Sequence, residues 1–207
     1  MMIKTTCCIV GGGPAGMMAG FLLSRAEIEV IVLEKHADFF RDFRGDTIHP
    51  STLQIIHELG LLNDFSTIPH SEIKQLTAIF NGVEVTIADF THLHTAEPAL
   101  WIMPQWDFLN FILKQAEKYK TFKLLTQTEV KDIVHADGKV TGVIADCPGG
   151  SIAIQADLVI GTDGRHSTVR EKAGLNRITT GVPIDVLWFR LPREKGDPLQ
   201  TFGRFDH

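Results

Sequence analysis

The chain has 207 residues, 44% hydrophobic and 22% charged, which excludes a disordered polypeptide and suits one domain or two small ones with a real core. A formal net charge of −5 and the lack of a basic stripe argue against a nucleic-acid partner, since phosphate-tracking proteins concentrate Lys and Arg. No run approaches the roughly 18 apolar residues of a membrane span, and the short apolar start runs into glycines rather than a cleavage site, so the cytoplasm is the expected location.

Thr5-Thr6-Cys7-Cys8-Ile9-Val10 is an apolar run closed by glycines and predicts a buried parallel strand. Pro14 suits a first helical position, and the helix runs to about Arg25 with Met17, Met18, Phe21 and Leu22 available for packing. Glu29 to Leu33 predicts a second buried strand ending at Glu34, so a right-handed βαβ unit is expected. After a polar, Arg-rich loop from Lys35 to His49, Pro50 opens a helix with Leu53, Ile56 and Leu59 inward and Gly60 as its stop. Two β-rich runs between residues 73 and 89 flank Asn81-Gly82, the preferred type I′ hairpin turn. Asp107 is expected to cap a third helix with Phe108, Phe111, Ile112 and Gln115 on one face. From 122 to 160, turns at Asp137-Gly138 and Pro148-Gly149-Gly150 divide a three-stranded meander, followed by a last buried strand, Asp157 to Ile160. A short helix near Ser167 to Ala173 and a strand near Asp185 to Arg190 complete the reading.

Gly11-Gly12-Gly13-Pro14-Ala15-Gly16 matches G-x-G-x-x-G. Gly11 allows the tight turn out of the strand, Gly13 lets a pyrophosphate approach the backbone, and Gly16 lets the helix lie on the sheet. Phosphates then meet unpaired N–H groups at the helix N-terminus. A glycine string alone is weak, but this one follows a strand, opens a helix and has Glu34 roughly 20 residues on, positioned to accept from ribose hydroxyls. That carboxylate disfavours a 2′-phosphate. A dinucleotide site is the reading.

The order of elements separates the candidate dinucleotides. A nicotinamide-binding domain continues with further βα units, whereas here a hairpin, a meander and Gly161-Thr162-Asp163-Gly164-Arg165-His166-Ser167-Thr168-Val169-Arg170 follow. The chain resembles the FAD-dependent aromatic hydroxylases, the single-component flavoprotein monooxygenases similar to para-hydroxybenzoate hydroxylase. That family carries the early glycine motif, an acidic residue ending the second strand, an Arg-Gly loop matched by Arg44-Gly45, and a D-G-x-x-S-x-x-R stretch matched by Asp163 to Arg170. Pro104-Gln105-Trp106 resembles the place where the family puts a Gln or Arg against the ribityl-pyrophosphate region.

The resemblance implies an α/β fold: a Rossmann-like FAD-binding domain, βαβ plus a three-stranded β-meander, over residues 1–70 and 100–178. An incomplete antiparallel β-sheet substrate domain would take 71–99 and 179–207. It implies cofactor contacts from Gly11, Gly13, Pro14, Ala15, Gly16, Glu34 and Lys35. Arg44 would neutralise the diphosphate, for which a guanidinium is suited, and Gln105 would touch the flavin. Val130 would offer backbone groups to adenine, and Asp163 and Gly164 would lie near the diphosphate. Ser167 and Arg170 are expected as cap and structural partners of that loop. The family's later Gly-Asp-Ala-Ala-His motif is not found. Gly45-Asp46-Thr47-Ile48-His49-Pro50 lies too early, Gly196-Asp197-Pro198 lacks the following small residues, and the chain stops at about half the family's usual length.

By the same resemblance, NAD(P)H reduces the flavin and O₂ forms a C4a-hydroperoxide that oxygenates an aromatic or similar small molecule, with the cofactor carrying the chemistry. No catalytic acid, base or nucleophile can be named. The alternatives are a same-fold flavin reductase or halogenase, and a truncated, non-catalytic dinucleotide-binding module. His92-Leu93-His94 has two rings on one strand face but lacks further ligands, so no metal is expected. Cys7, Cys8 and Cys147 form no metal or disulfide pattern. Trp101, Met103 and Trp106 are expected as core.

Overall fold

The computed structural model describes residues 2–40, 46–178, 181, 187, 192, 194–196 and 202–205. In chain order these form β1 (Met2–Val10), α1 (Pro14–Arg25), β2 (Val30–Leu33), β3 (Thr47–Ile48), α2 (Pro50–Glu58), α3 (Leu62–Phe65), β4 (Ser71–Ile73), β5 (Gln75–Phe80) and β6 (Val83–Asp89). There follow β7 (Leu100–Ile102), α4 (Gln105–Ala116), β8 (Phe122–Leu125), β9 (Glu129–Ala136), β10 (Lys139–Cys147), β11 (Gly150–Gly161), α5 (Thr168–Lys172) and β12 (Phe202–Phe205). Contacts group the chain into two compact units, Met1–Arg41 with Phe108–Val182, and Asp42–Asp107 with Pro183–His207. No described helix is long and apolar enough to cross a membrane.

The first unit is built on a sheet in the order β8-β2-β1-β11-β10-β9. β8, β2, β1 and β11 run parallel, and β11, β10 and β9 are antiparallel neighbours. Because side chains alternate across a strand, β1 and β2 each supply two apolar faces. Cys8, Val10, Ile31 and Leu33 join Val130, Ile133, Val143, Ala145, Ile154 and Ala156 in one core cluster, under the meander. Ile9, Val30 and Val32, on the opposite pleat, are equally buried, as are Met17 and Phe21 of α1. A Cβ on Gly20 of α1 would stand 2.7 Å from Val32 Cγ2, so the helix lies close on that face. Leu22, 39% exposed, faces away from it.

The last strand differs from expectation. The third meander strand and the strand at Asp157 to Ile160 are one continuous β11, which pairs with β10 from Gly150 to Gln155 and with β1 from Ala153 to Gly161. β10 pairs only as far as Gln155, so beyond it β11 has one neighbour among the described residues. Leu158 is accordingly 54% exposed rather than buried. β8, at the start of the expected meander region, instead joins β2 in parallel.

In the second unit, Asn81 and Gly82 adopt φ values of 49° and 84°, and Phe80 pairs with Val83 across them. This is the expected two-residue hairpin between β5 and β6, in which both central residues take positive φ. β12 adds to β5 in parallel, so this sheet is mixed. A second small sheet, β3-β7-β4, was not expected. β7 has three residues, too few for periodicity to show. Its pairing groups residues 46–70 and 100–107 with the hairpin region. Trp101 of β7 is 1% exposed, between Phe65 at 5.6 Å and His70 at 3.7 Å, both stacked. Met103 is also buried, so Trp101 and Met103 are core as expected, whereas Trp106 is only partly buried. α4 begins at Gln105, so Asp107 sits inside its first turn and is not its cap, although Phe108, Phe111, Ile112 and Gln115 are all buried as expected. The strand expected at 185–190 lies, Leu187 apart, outside the described residues.

Cys7 and Cys8 are 2% and 0% exposed. Burial, with Cys7 adjacent, pushes the Cys8 thiol up to about 12 from 9.0. Two outcomes are expected. A thiol reagent added to native protein will modify Cys147 alone, which is only partly buried, and will reach all three cysteines after unfolding. Stability contributed by the protonated Cys8 thiol is present below pH 9.0 and is lost as the pH rises toward about 12, because only the unfolded chain releases that proton. Denaturant melts between pH 8 and 11 will show this slope reduced in Cys8→Ala.

Candidate functional site

The register of the parallel strands places three loops together. Val10 pairs with Leu33 on one side and Gly161 on the other, so β1, β2 and β11 end level and Gly11, Glu34 and Thr162 follow at the same edge. From β1 the chain moves to β2 on one side and later returns to β11 on the other. That is a topological switch point, where α/β sheets form a ligand crevice at strand carboxyl ends.

Each fingerprint glycine has a distinct environment. Gly11 has φ +108°, and a Cβ there would lie 2.5 Å from the Thr162 carbonyl oxygen. Gly16, in the first turn of α1, comes so near the preceding turn that a Cβ would be 1.9 Å from the Gly11 carbonyl oxygen. A Cβ on Gly13 would meet nothing within 4 Å, so the glycine faces open space. Gly13 is the N-cap, Pro14 follows it, and no side chain caps α1. The first-turn N–H groups of Ala15 and Gly16 are thus left to face an anion. Open space at Gly13 in front of uncapped N–H groups fits a diphosphate.

Glu34 is 8% exposed. Its Oε2 accepts from the Gly12 N–H at 3.0 Å and its Oε1 from the His36 N–H at 3.0 Å. These bonds tie the carboxylate to the glycine turn and to the start of the loop after β2. Lys35 is exposed and lies close enough to Glu129 to help hold that carboxyl below the usual range, an effect due chiefly to the hydrogen bond from Lys131. The Gln127 and Thr128 N–H groups donate to the His36 and Glu34 carbonyls, both at 2.9 Å, bringing the start of β9 alongside. Val130, two residues on, is buried in the meander core.

Asp163 follows β11. Its Oδ1 accepts from Ser167 Oγ at 2.5 Å and its Oδ2 from the Val169 N–H at 3.1 Å, so both oxygens secure the start of α5. Ser167 caps that helix by accepting from the Arg170 N–H at 3.0 Å, and Arg170 Nη2 donates to the Arg165 carbonyl at 2.9 Å. The expected cap and structural roles of Ser167 and Arg170 are what these bonds describe. Gly164 completes the turn.

The structure thus gathers Gly11, Gly13, Pro14, Ala15, Gly16, Glu34, Lys35, Asp163 and Gly164 in the first unit, with Val130 just beyond. Gln105 belongs to the second unit, where its N–H donates to the buried Asp46 carboxylate at 3.3 Å and the Asp46 carbonyl accepts from Met103 at 2.9 Å. Arg44 lies outside the described residues. Sequence reasoning missed Asp46 as the anchor of Gln105 and Thr162 as a neighbour of the glycine turn. A hydroxyl residue directly before Asp-Gly at a strand end was the available signal for Thr162. Among the described residues no group of three His, Cys, Asp or Glu could hold a metal ion.

The FAD binding domain family model matches residues 4–199. The chain belongs to that family. It is 32% identical to 6-methylpretetramide 4-monooxygenase of Streptomyces rimosus, over 97% of this chain and 51% of that protein. It is 26% identical to p-hydroxybenzoate hydroxylase of Acinetobacter baylyi, over 86% of this chain and 43% of that enzyme. The crystal structure of p-nitrophenol 4-monooxygenase from Pseudomonas putida superposes with a TM-score of 0.74 at 28% identity, covering 84% of this chain and 44% of that one. The resemblance to FAD-dependent aromatic hydroxylases, and the Rossmann-like α/β fold it implied, are borne out. The chain spans about half the length of the curated relatives it matches.

Proposed function

We propose that this chain holds the ADP half of FAD for an NAD(P)H-dependent flavoprotein monooxygenase acting with O₂ on an aromatic or similar small molecule. The observation that carries the reading is the open space at Gly13, before an uncapped helix N-terminus and beside Glu34. The N–H groups of Ala15 and Gly16 would bind the diphosphate, and Pro14 presets the helix behind them. Glu34, already held by Gly12 and His36, would accept the ribose hydroxyls. Lys35 and the backbone near Val130 would flank the adenosine. Arg44 would neutralise diphosphate charge, and Gln105, fixed at its N–H by Asp46, would face the ribityl chain. Asp163 would shape the diphosphate side through the start of α5, with Gly164 giving close approach.

Bound FAD supplies the redox and oxygen-transfer chemistry; the residues here bind and orient it. Named activities of the relatives support aromatic oxygenation. The residues 71–99 with 179–207 are proposed to contribute to the substrate side.

Incubating the 207-residue chain with excess FAD, removing free flavin by gel filtration and recording visible absorbance tests the reading. A flavin spectrum eluting with the protein is expected. A folded, colourless protein would overturn the proposal that this chain holds FAD by itself.

A further inference from the structure

The Thr162 side chain sits where the two FAD-site motifs meet. Its Oγ1 lies 2.9 Å from the Val10 carbonyl oxygen and 2.8 Å from the Gly11 carbonyl oxygen. These contacts join positions 152 and 151 residues apart. The Val10 carbonyl does not depend on the hydroxyl, because the Thr162 N–H already donates to it at 2.7 Å. The Gly11 carbonyl does. With φ at +108° the chain has left the strand ladder, and among the described residues no backbone N–H is recorded donating to that oxygen. The hydroxyl takes the place of a ladder bond at the residue where the ladder ends.

The same oxygens also meet α1. A Cβ on Gly16 would stand 1.9 Å from the Gly11 carbonyl oxygen and 2.6 Å from Thr162 Oγ1. Turn, hydroxyl and first helical turn therefore form one contact, and the turn cannot shift without moving α1. The N–H groups that face the anion ride on that helix turn.

The geometry assigns Thr162 as a positioning residue of the dinucleotide site: its hydroxyl, by holding the Gly11 carbonyl, sets the height of the glycine turn and hence the aim of the Ala15 and Gly16 N–H groups at a diphosphate. This rests on the FAD reading above. Thr162 touches the turn, not the ligand, so its effect is on the diphosphate and is the same for any ligand that carries one there.

The experiment compares wild type, Thr162→Val, Thr162→Ser and Gly13→Val in the 207-residue chain, titrating FAD by flavin fluorescence and ADP by calorimetry, with a denaturant melt for each. Valine keeps the threonine shape and removes the donor. Thr162→Val is expected to weaken FAD and ADP by the same factor, about tenfold, the scale of one lost hydrogen bond with its acceptor left unmet. Thr162→Ser, which restores the donor, should bind both within about threefold of wild type. Val binding like wild type, or a loss for FAD without an equal loss for ADP, would overturn the assignment. If valine at 162 prevents folding, Thr162→Ser carries the test. A tenfold loss there would show that the methyl group and not the hydroxyl matters, and would overturn it too. Wild type that binds neither ligand, as poorly as Gly13→Val, would instead sink the FAD reading itself and this inference with it.

Discussion

Gly13→Val is expected to lose flavin while keeping its fold. The backbone at Gly13 has φ −73° and ψ −177°, an extended conformation that any residue adopts, β-branched ones included. Nothing lies within 4 Å of where its Cβ would be, so valine enters without a clash. The space it fills is the space before the α1 N-terminus. A diphosphate there would lose one or two charge-assisted hydrogen bonds, each worth about 1.5–3 kcal/mol, so affinity should fall by roughly 100-fold or more. Flavin absorbance after gel filtration reads the loss, and a urea melt should find stability within about 0.5 kcal/mol of wild type. A variant that keeps its flavin would remove the assignment of the site.

Gly16→Ala should do the reverse and fail by unfolding. In an ordinary helix this change is stabilising by about 1 kcal/mol, so the sign of the effect is itself the test. Here the added methyl would lie 1.9 Å from the Gly11 carbonyl oxygen. That atom belongs to the backbone of a turn held from three sides: the Gly11 N–H donates to Leu33 at 2.8 Å, Thr162 Oγ1 lies 2.8 Å from the carbonyl, and α1 follows directly. Relief requires α1 to lift from the sheet, exposing part of the surface around Met17 and Phe21. A loss of about 3 kcal/mol is expected, within the range of overpacked cores and a large part of the roughly 5–15 kcal/mol that holds a domain folded. Urea denaturation followed by circular dichroism measures it. A midpoint equal to or above wild type would mean that helix and turn are not in close contact. Two glycines three residues apart thus separate ligand contact from packing.

Much of this was legible beforehand, for physical reasons that differ by residue. The strand at Thr5 to Val10, the helix opened by Pro14 and the strand to Leu33 have strong local signals, and they form where expected. Asn81-Gly82 and Asp137-Gly138 form tight turns because backbone φ at those residue types is a local preference. The helix at 105–116 was placed by its apolar face, yet its start was misplaced by three residues because Asp107 imitates a cap. β7 and the small sheet around Trp101 were not foreseen, since three residues carry no periodic signature and their pairing partners lie far away in sequence. Leu158 was expected to be buried because an apolar run at a strand position says nothing about how many neighbours that strand acquires.

By itself the sequence determined the βαβ unit, the spacing of Gly11, Gly13, Gly16 and Glu34, and the membership in a flavin-binding family. Those features depend on residue type and short-range spacing: φ at glycine, helix initiation at Pro14, an acidic side chain after an apolar run. Only the tertiary structure decided that Thr162 holds the Gly11 carbonyl, that Asp163 spends both its oxygens on α5, and that Gly13 alone of the three fingerprint glycines faces open space. These depend on two strand ends, 151 residues apart along the chain, being brought level by parallel register, and register is a property of the assembled sheet.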